Sequence, residues 1–184
     1  MHRSPTLALS ILFLSLPVLS SAGDLTPDEQ AFFDQHKADF VRFEPQKLDD
    51  LALEKVFSAP FYTVKVIIKI ADGEPMTSFN VARVGDDFVS MQRPGEDGDL
   101  PDFQKLLSPE FKLRTPADAK AMQQALNVLY PPMMESDKKL ISFRRTGNRW
   151  IFVRGQFFDS KSGYIFETGE DGEIKSVKYQ LKLP

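Results

Sequence analysis

The chain has 184 residues, 42% of them hydrophobic, with 23 Lys and Arg against 26 Asp and Glu and no cysteine. This mildly acidic balance excludes the basic footprint that non-specific nucleic-acid binding requires. Without thiols there are no disulfides, cysteine nucleophiles or thiolate metal sites, so an apolar core must supply the stability, and 16 phenylalanines provide material for it.

Residues 1–22 read as a signal peptide. His2 and Arg3 make a weakly basic start, Leu7 to Leu19 is an apolar run, and Ser20, Ser21 and Ala22 give the small residues that predict cleavage after Ala22. The run falls short of the ~20 apolar residues of a membrane span. With no cysteine to lipidate, the expected product is exported, periplasmic or secreted, with no stable membrane insertion. Losing Arg3 with the leader takes the formal net charge from −3 to about −4. Residues 23–184 then form a single α+β domain, since a chain of roughly 160 residues buries about 70% of its unfolded surface.

The first helix starts at Thr26, with Glu29 completing a capping box and Pro27 in the first turn. Phe32, Phe33, His36, Phe40 and Phe43 recur at helical spacing, and Pro45 ends the run. Leu48 to Phe57 fits either a helix or a strand. Phe61 to Ile70 is a strand with Tyr62, Val64, Val66, Ile68 and Ile70 on one face. Thr77 to Val84 and Phe88 to Arg93 follow as strands, split by a turn at Gly85-Asp86-Asp87. An acidic loop runs from Pro94 to Asp102, and Phe103 to Leu113 suits a short helix and an extended piece. The second long helix opens at Thr115-Pro116-Ala117-Asp118, a cap, a proline and a carboxylate suited to the helix dipole. Its inner stripe is Ala121, Met122, Ala125, Leu126 and Leu129, and Pro131-Pro132 stops it.

The last third, Lys139 to Leu183, reads as a four-stranded antiparallel meander. Gly147-Asn148 is a two-residue hairpin signal. Arg149 to Phe158 is apolar on both faces, as a central strand requires. Asp159 to Gly163 reads as a turn and Tyr164 to Thr168 as the third strand. Val177, Tyr179, Leu181 and Leu183 alternate with polar residues in the fourth. The fold class is therefore α+β: two or three helices on antiparallel meanders, in the order helix, three strands, helix, four strands, around a single core. Arg83 to Val89 and Arg145 to Ile151 follow one pattern, which weakly suggests an internal duplication over roughly 45–93 and 115–183. Shared hairpin chemistry also accounts for it, and the helix-to-strand spacing is not kept.

No catalytic set emerges. His36 is the one histidine left after cleavage and sits in an aromatic stripe; Gly-x-Ser-x-Gly elbows and phosphate-binding glycine loops are absent. No cofactor is implied. One imidazole is too few for zinc. Met133-Met134 offers two thioethers with no histidine or third methionine near them in sequence, so packing accounts for the pair better than copper does. Glu96, Asp97, Asp99 and Asp102 could attract a basic partner or calcium, although the spacing of a calcium-binding helical loop is missing. Arg144, Arg145, Arg149 and Arg154 gather about a hairpin beside Trp150, an anion or ligand patch if they share one surface. The reading that follows is an exported, non-catalytic binding or inhibitor-like module for a protein or small ligand. A carrier of an apolar ligand between the helix stripe and Trp150, Phe152 and Phe166 comes second. A hydrolase built on carboxylates comes third.

Overall fold

The computed structural model describes residues 21–35, 41–68, 76–91, 94–131, 135–157 and 160–184. The described elements form an α+β fold of five helices and two five-stranded antiparallel sheets. The first sheet holds β1 (Ser21–Gly23), β2 (Val41–Asp49), β3 (Phe61–Ile68), β4 (Met76–Val84) and β5 (Asp87–Ser90) in chain order. The second is ordered β6-β10-β9-β8-β7, from β6 (Gly98–Asp99), β7 (Ser142–Thr146), β8 (Arg149–Phe157), β9 (Ser160–Thr168) and β10 (Ile174–Gln180). Helix α1 (Pro27–Asp34) follows β1, and α2 (Leu51–Val56) links β2 to β3. Three more, α3 (Pro101–Leu106), α4 (Pro116–Leu129) and α5 (Glu135–Leu140), lie between β6 and β7 in sequence. None of the described helices is long and apolar enough to cross a membrane.

The two capping signals act as their residue types dictate. Thr26 and Glu29 exchange side-chain-to-backbone bonds, as do Thr115 and Asp118, each box satisfying two amides that the first helical turn leaves without partners. Helix α1 is shorter than its aromatic spacing suggests. It ends at Asp34, and Phe43 and Pro45 belong to β2 instead. Strand β1 pairs with Lys47–Asp49, so among the described residues no strand meets Pro45 on that side of β2, where a missing N–H breaks no ladder. The ambiguous stretch resolves into both of its readings, the end of β2 and then α2, capped by the Asp50 carboxylate on the Ala52 amide at 2.8 Å. Residues Ser160 to Gly163, expected as a turn, extend β9 and pair with β8 across a bulge between Val153 and Gly155. His36, Phe40, Met133 and Met134, and all of the leader up to Ser20, lie outside the described residues. The expected cleavage point after Ala22 lies within β1.

One core joins both sheets. Leu53, Val56, Phe103, Leu106, Met122, Leu126 and Leu129 of α2, α3 and α4 pack with Phe61 and Ala82 of the first sheet. Trp150, Phe152, Tyr164, Phe166, Val177 and Tyr179 of the second sheet join the same cluster. A satellite cluster on the other face of the first sheet holds Phe32 and Phe33 of α1 against Tyr62, Val64 and Val81. The two sets of aromatics that could have framed one pocket, Phe32 and Phe33 with Trp150, Phe152 and Phe166, thus belong to separate clusters. Within each, the rings contact one another: Phe33 meets Tyr62 at 5.0 Å and Phe152 meets Phe166 at 5.2 Å, both edge-on.

Candidate binding surface

The two hairpins that echo each other in sequence share their turn geometry. Gly85 and Gly147 take φ of 62° and 61°, a backbone region that favours glycine. Two residues before each glycine, an arginine donates from Nε to the glycine carbonyl, Arg83 at 3.1 Å and Arg145 at 3.0 Å. One is the last hairpin of the first sheet and the other the first hairpin of the second. The likeness is therefore one of local turn chemistry at different places in the two meanders.

The arginines around Gly147 do not share one surface. Arg145 lies opposite Trp150 across the β7–β8 pair, while Arg144 lies opposite Ile151, so they point to opposite faces of the sheet. The Arg145 guanidinium covers the Trp150 ring at 5.4 Å and donates to the Arg114 carbonyl at 3.3 Å. Trp150 itself is 3% exposed, its indole N–H donating to the Leu113 carbonyl at 3.1 Å. Arg149 pairs with Glu167 at 2.9 Å, and Arg144 donates to the Pro184 carbonyl. Arg154 is 1% exposed and holds the end of α4, donating to the carbonyls of Leu126 at 3.2 Å and Tyr130 at 2.5 Å and to the Asn127 side chain.

The acidic loop lies where the chain crosses from the first sheet to the second. Gly98 and Asp99 form β6, the short edge strand on β10, and Leu100 donates to the Val177 carbonyl at 2.8 Å. Asp97 accepts the Leu181 amide at 2.6 Å, Asp99 lies 3.4 Å from Lys178, and Asp102 pairs with Lys105 at 2.9 Å. Glu96 is exposed. Among the described residues, no three His, Asp or Glu side chains converge as a metal site.

Beside this crossing is a cleft of about 210 Å³. Val89 and Met91 bound it on the β5 side, Leu100 and Phe103 on the α3 side, and Tyr130 at the end of α4. Asp99 and Asp102 also line it. Phe103 and Tyr130 are held rigidly, since both rings lie against Tyr164, at 5.9 and 5.5 Å. Burial pushes the Tyr130 phenol up to about 12, against the opposing pull of the Tyr164 hydroxyl and the Arg154 charge. It stays protonated near neutral pH and can donate a hydrogen bond but not act as a base. A mixed lining of apolar side chains, hydroxyls and carboxylates suits binding; the described lining residues include no paired nucleophile and base.

Strand β5 forms one side of this cleft and the outer edge of its sheet among the described strands. Met91 donates to the Asn80 carbonyl at 2.7 Å, which fixes the hydrogen-bonding phase of the β4–β5 pair. Val89 and Asp87 therefore bond inward to β4, and the N–H and C=O groups of Phe88 and Ser90 point away from it. Arg83 confirms the phase, because its amide donates to the Pro60 carbonyl on the β3 side. Phe88 and Val84 at this hairpin are 40% and 47% exposed.

Of the sequence candidates, Asp99 and Asp102 are brought to the cleft; Val89, Met91, Phe103 and Tyr130 carry no binding signal in the sequence. The acidic signal in the sequence extended further than the loop, since residues 86–102 hold six carboxylates and a single basic residue, Arg93. Comparison with known protein families, curated proteins and solved structures finds no match to this chain.

Proposed function

We propose that this chain is an exported, non-catalytic binding module that engages a protein partner through the cleft beside β5. The observation that carries this reading is the recess in which Met91, Leu100, Phe103 and Tyr130 come together with Ser90, Asp99 and Asp102. Apolar anchoring within a polar rim is the usual anatomy of a protein-binding patch.

A photo-crosslinking amino acid placed at Ser90 or Asp102 of the full chain, in its native host, should capture the partner. The same group at Glu170, exposed in the β9–β10 turn, should not. Equal capture at all three positions, or none at any, removes the proposal. Export is checked separately by the mass of the mature chain, which should begin at Gly23; a product retaining residues 1–22 contradicts it.

A further inference from the structure

Resting on that reading, we infer that the partner offers an extended segment of apolar residues flanked by basic ones, which pairs with β5 as a sixth strand of the first sheet. Three features of the molecule converge on this occupant. The outward N–H and C=O groups of Phe88 and Ser90 form the repeating donor and acceptor row that an added strand requires. Side chains of such a strand alternate between faces, so every second one would enter the cleft floored by Leu100, Phe103 and Tyr130. Its volume of about 210 Å³ suits one large aliphatic side chain rather than a helix or a folded surface.

The charge pattern selects among extended segments. Residues 86 to 102 carry six carboxylates against the single base Arg93, with Asp86 and Asp87 at the strand itself and Asp99 and Asp102 lining the cleft, where they meet Lys178 and Lys105. Charged residues on an edge strand are the ordinary defence against pairing between copies. Asp86 and Asp87, both exposed at the start of β5, would repel a second copy carrying the same edge. The same groups attract a cationic strand, so the edge is closed to its own kind and open to a basic one.

The test uses the full chain, isotope-labelled, and a capped heptapeptide of three valines with two lysines at either end. Two controls are a glutamate and valine peptide of equal length, and the lysine and valine peptide with alternate backbone amides methylated. The lysine peptide should bind at least about tenfold more tightly than either control. At saturation, hydrogen exchange at the Phe88 and Ser90 amides should slow while the β7 edge stays unchanged. Equal binding of the glutamate or methylated peptide, protection at β7 instead, or no binding overturns the inference.

Ser90→Pro should abolish binding without breaking the β4 ladder, because the lost N–H is one that points outward. If that variant fails to fold, Asp99→Asn with Asp102→Asn serves instead and should weaken binding several-fold; unaltered affinity overturns the inference. Partner capture at Ser90 without peptide pairing removes the strand and keeps the surface. Loss of capture removes the surface itself.

Discussion

Glu29 and Arg154 are both charged and both buried, and each is held there by what it joins. Desolvation alone would raise the Glu29 pKa. The Tyr62 hydroxyl at 2.5 Å, the Thr26 amide at 2.8 Å and Lys47 at 3.3 Å outweigh it and hold the carboxyl at about 2 against an ordinary 4.5. A depressed carboxyl pKa contributes stability that is present above 4.5 and lost as pH falls through about 2. Helix α1 should therefore loosen from the first sheet in that acid window. Tyr62→Phe should begin the loosening nearer 4.5, read as amide exchange in α1 against pH. Identical acid profiles in the two proteins would count against this account. Arg154 has a different task, since the carbonyls of Leu126 and Tyr130 at the end of α4 accept from it. Arg154→Met keeps much of the bulk and removes the donors. It should cost about 2 kcal/mol, the scale of leaving the buried Tyr130 carbonyl unpaired, since the Leu126 carbonyl still accepts from the Tyr130 amide. Urea melts showing a loss under about 1 kcal/mol would mean that water or a neighbour replaces the guanidinium.

At the scale of elements, the β8–β9 pair depends on a glycine for space rather than for a turn. A Cβ on Gly163 would stand 1.9 Å from the Phe152 carbonyl oxygen, a backbone atom with no freedom to swing aside. Gly163→Ala should cost at least about 2 kcal/mol through forced separation of the strands. Thermal melts measure it, and an unchanged Tm would show that the bulge at Val153 and Gly155 absorbs the methyl. That glycine also shows where sequence reading stops. Asp159 to Gly163 has the composition of a turn, yet pairing with β8 carries Ser160 to Gly163 into the sheet. Tertiary pairing overrides composition there. The capping boxes at Thr26 and Thr115 and the Gly85 and Gly147 hairpins were legible, because each is decided by four or five adjacent residues. Residues 41–49 were not, since Phe43 keeps helical spacing with Phe32 and Phe33 while β3 draws it into a strand. The candidate site was half legible. Its carboxylates cluster in sequence, whereas Tyr130 lies 28 residues beyond Asp102 and reaches the cleft only through the direction of α4.

That direction is fixed from both sides, which decides how the whole molecule behaves. Asn80 of β4 donates to the Leu129 carbonyl at 2.7 Å, while Arg154 of β8 donates to those of Leu126 and Tyr130. The last turn of α4 is thus capped by one side chain from each sheet, in place of the glycine that commonly ends a helix. Trp150 and Arg145 tie the chain just before α4 to the second sheet through the Leu113 and Arg114 carbonyls. A helix held this way cannot loosen from one sheet while staying docked on the other, so both sheets should unfold together. Leu126→Ala tests this from the centre of the core, where the side chain is fully buried. The truncation should cost about 3 kcal/mol. Native-state hydrogen exchange should show that loss equally in the most protected amides of β3 and of β9, because both exchange only through the global opening. A loss confined to β9, with β3 unchanged, would mean two independently stable units. The cleft beside β5 would then lie between parts free to move, and its fixed shape would no longer follow from the packing of α4.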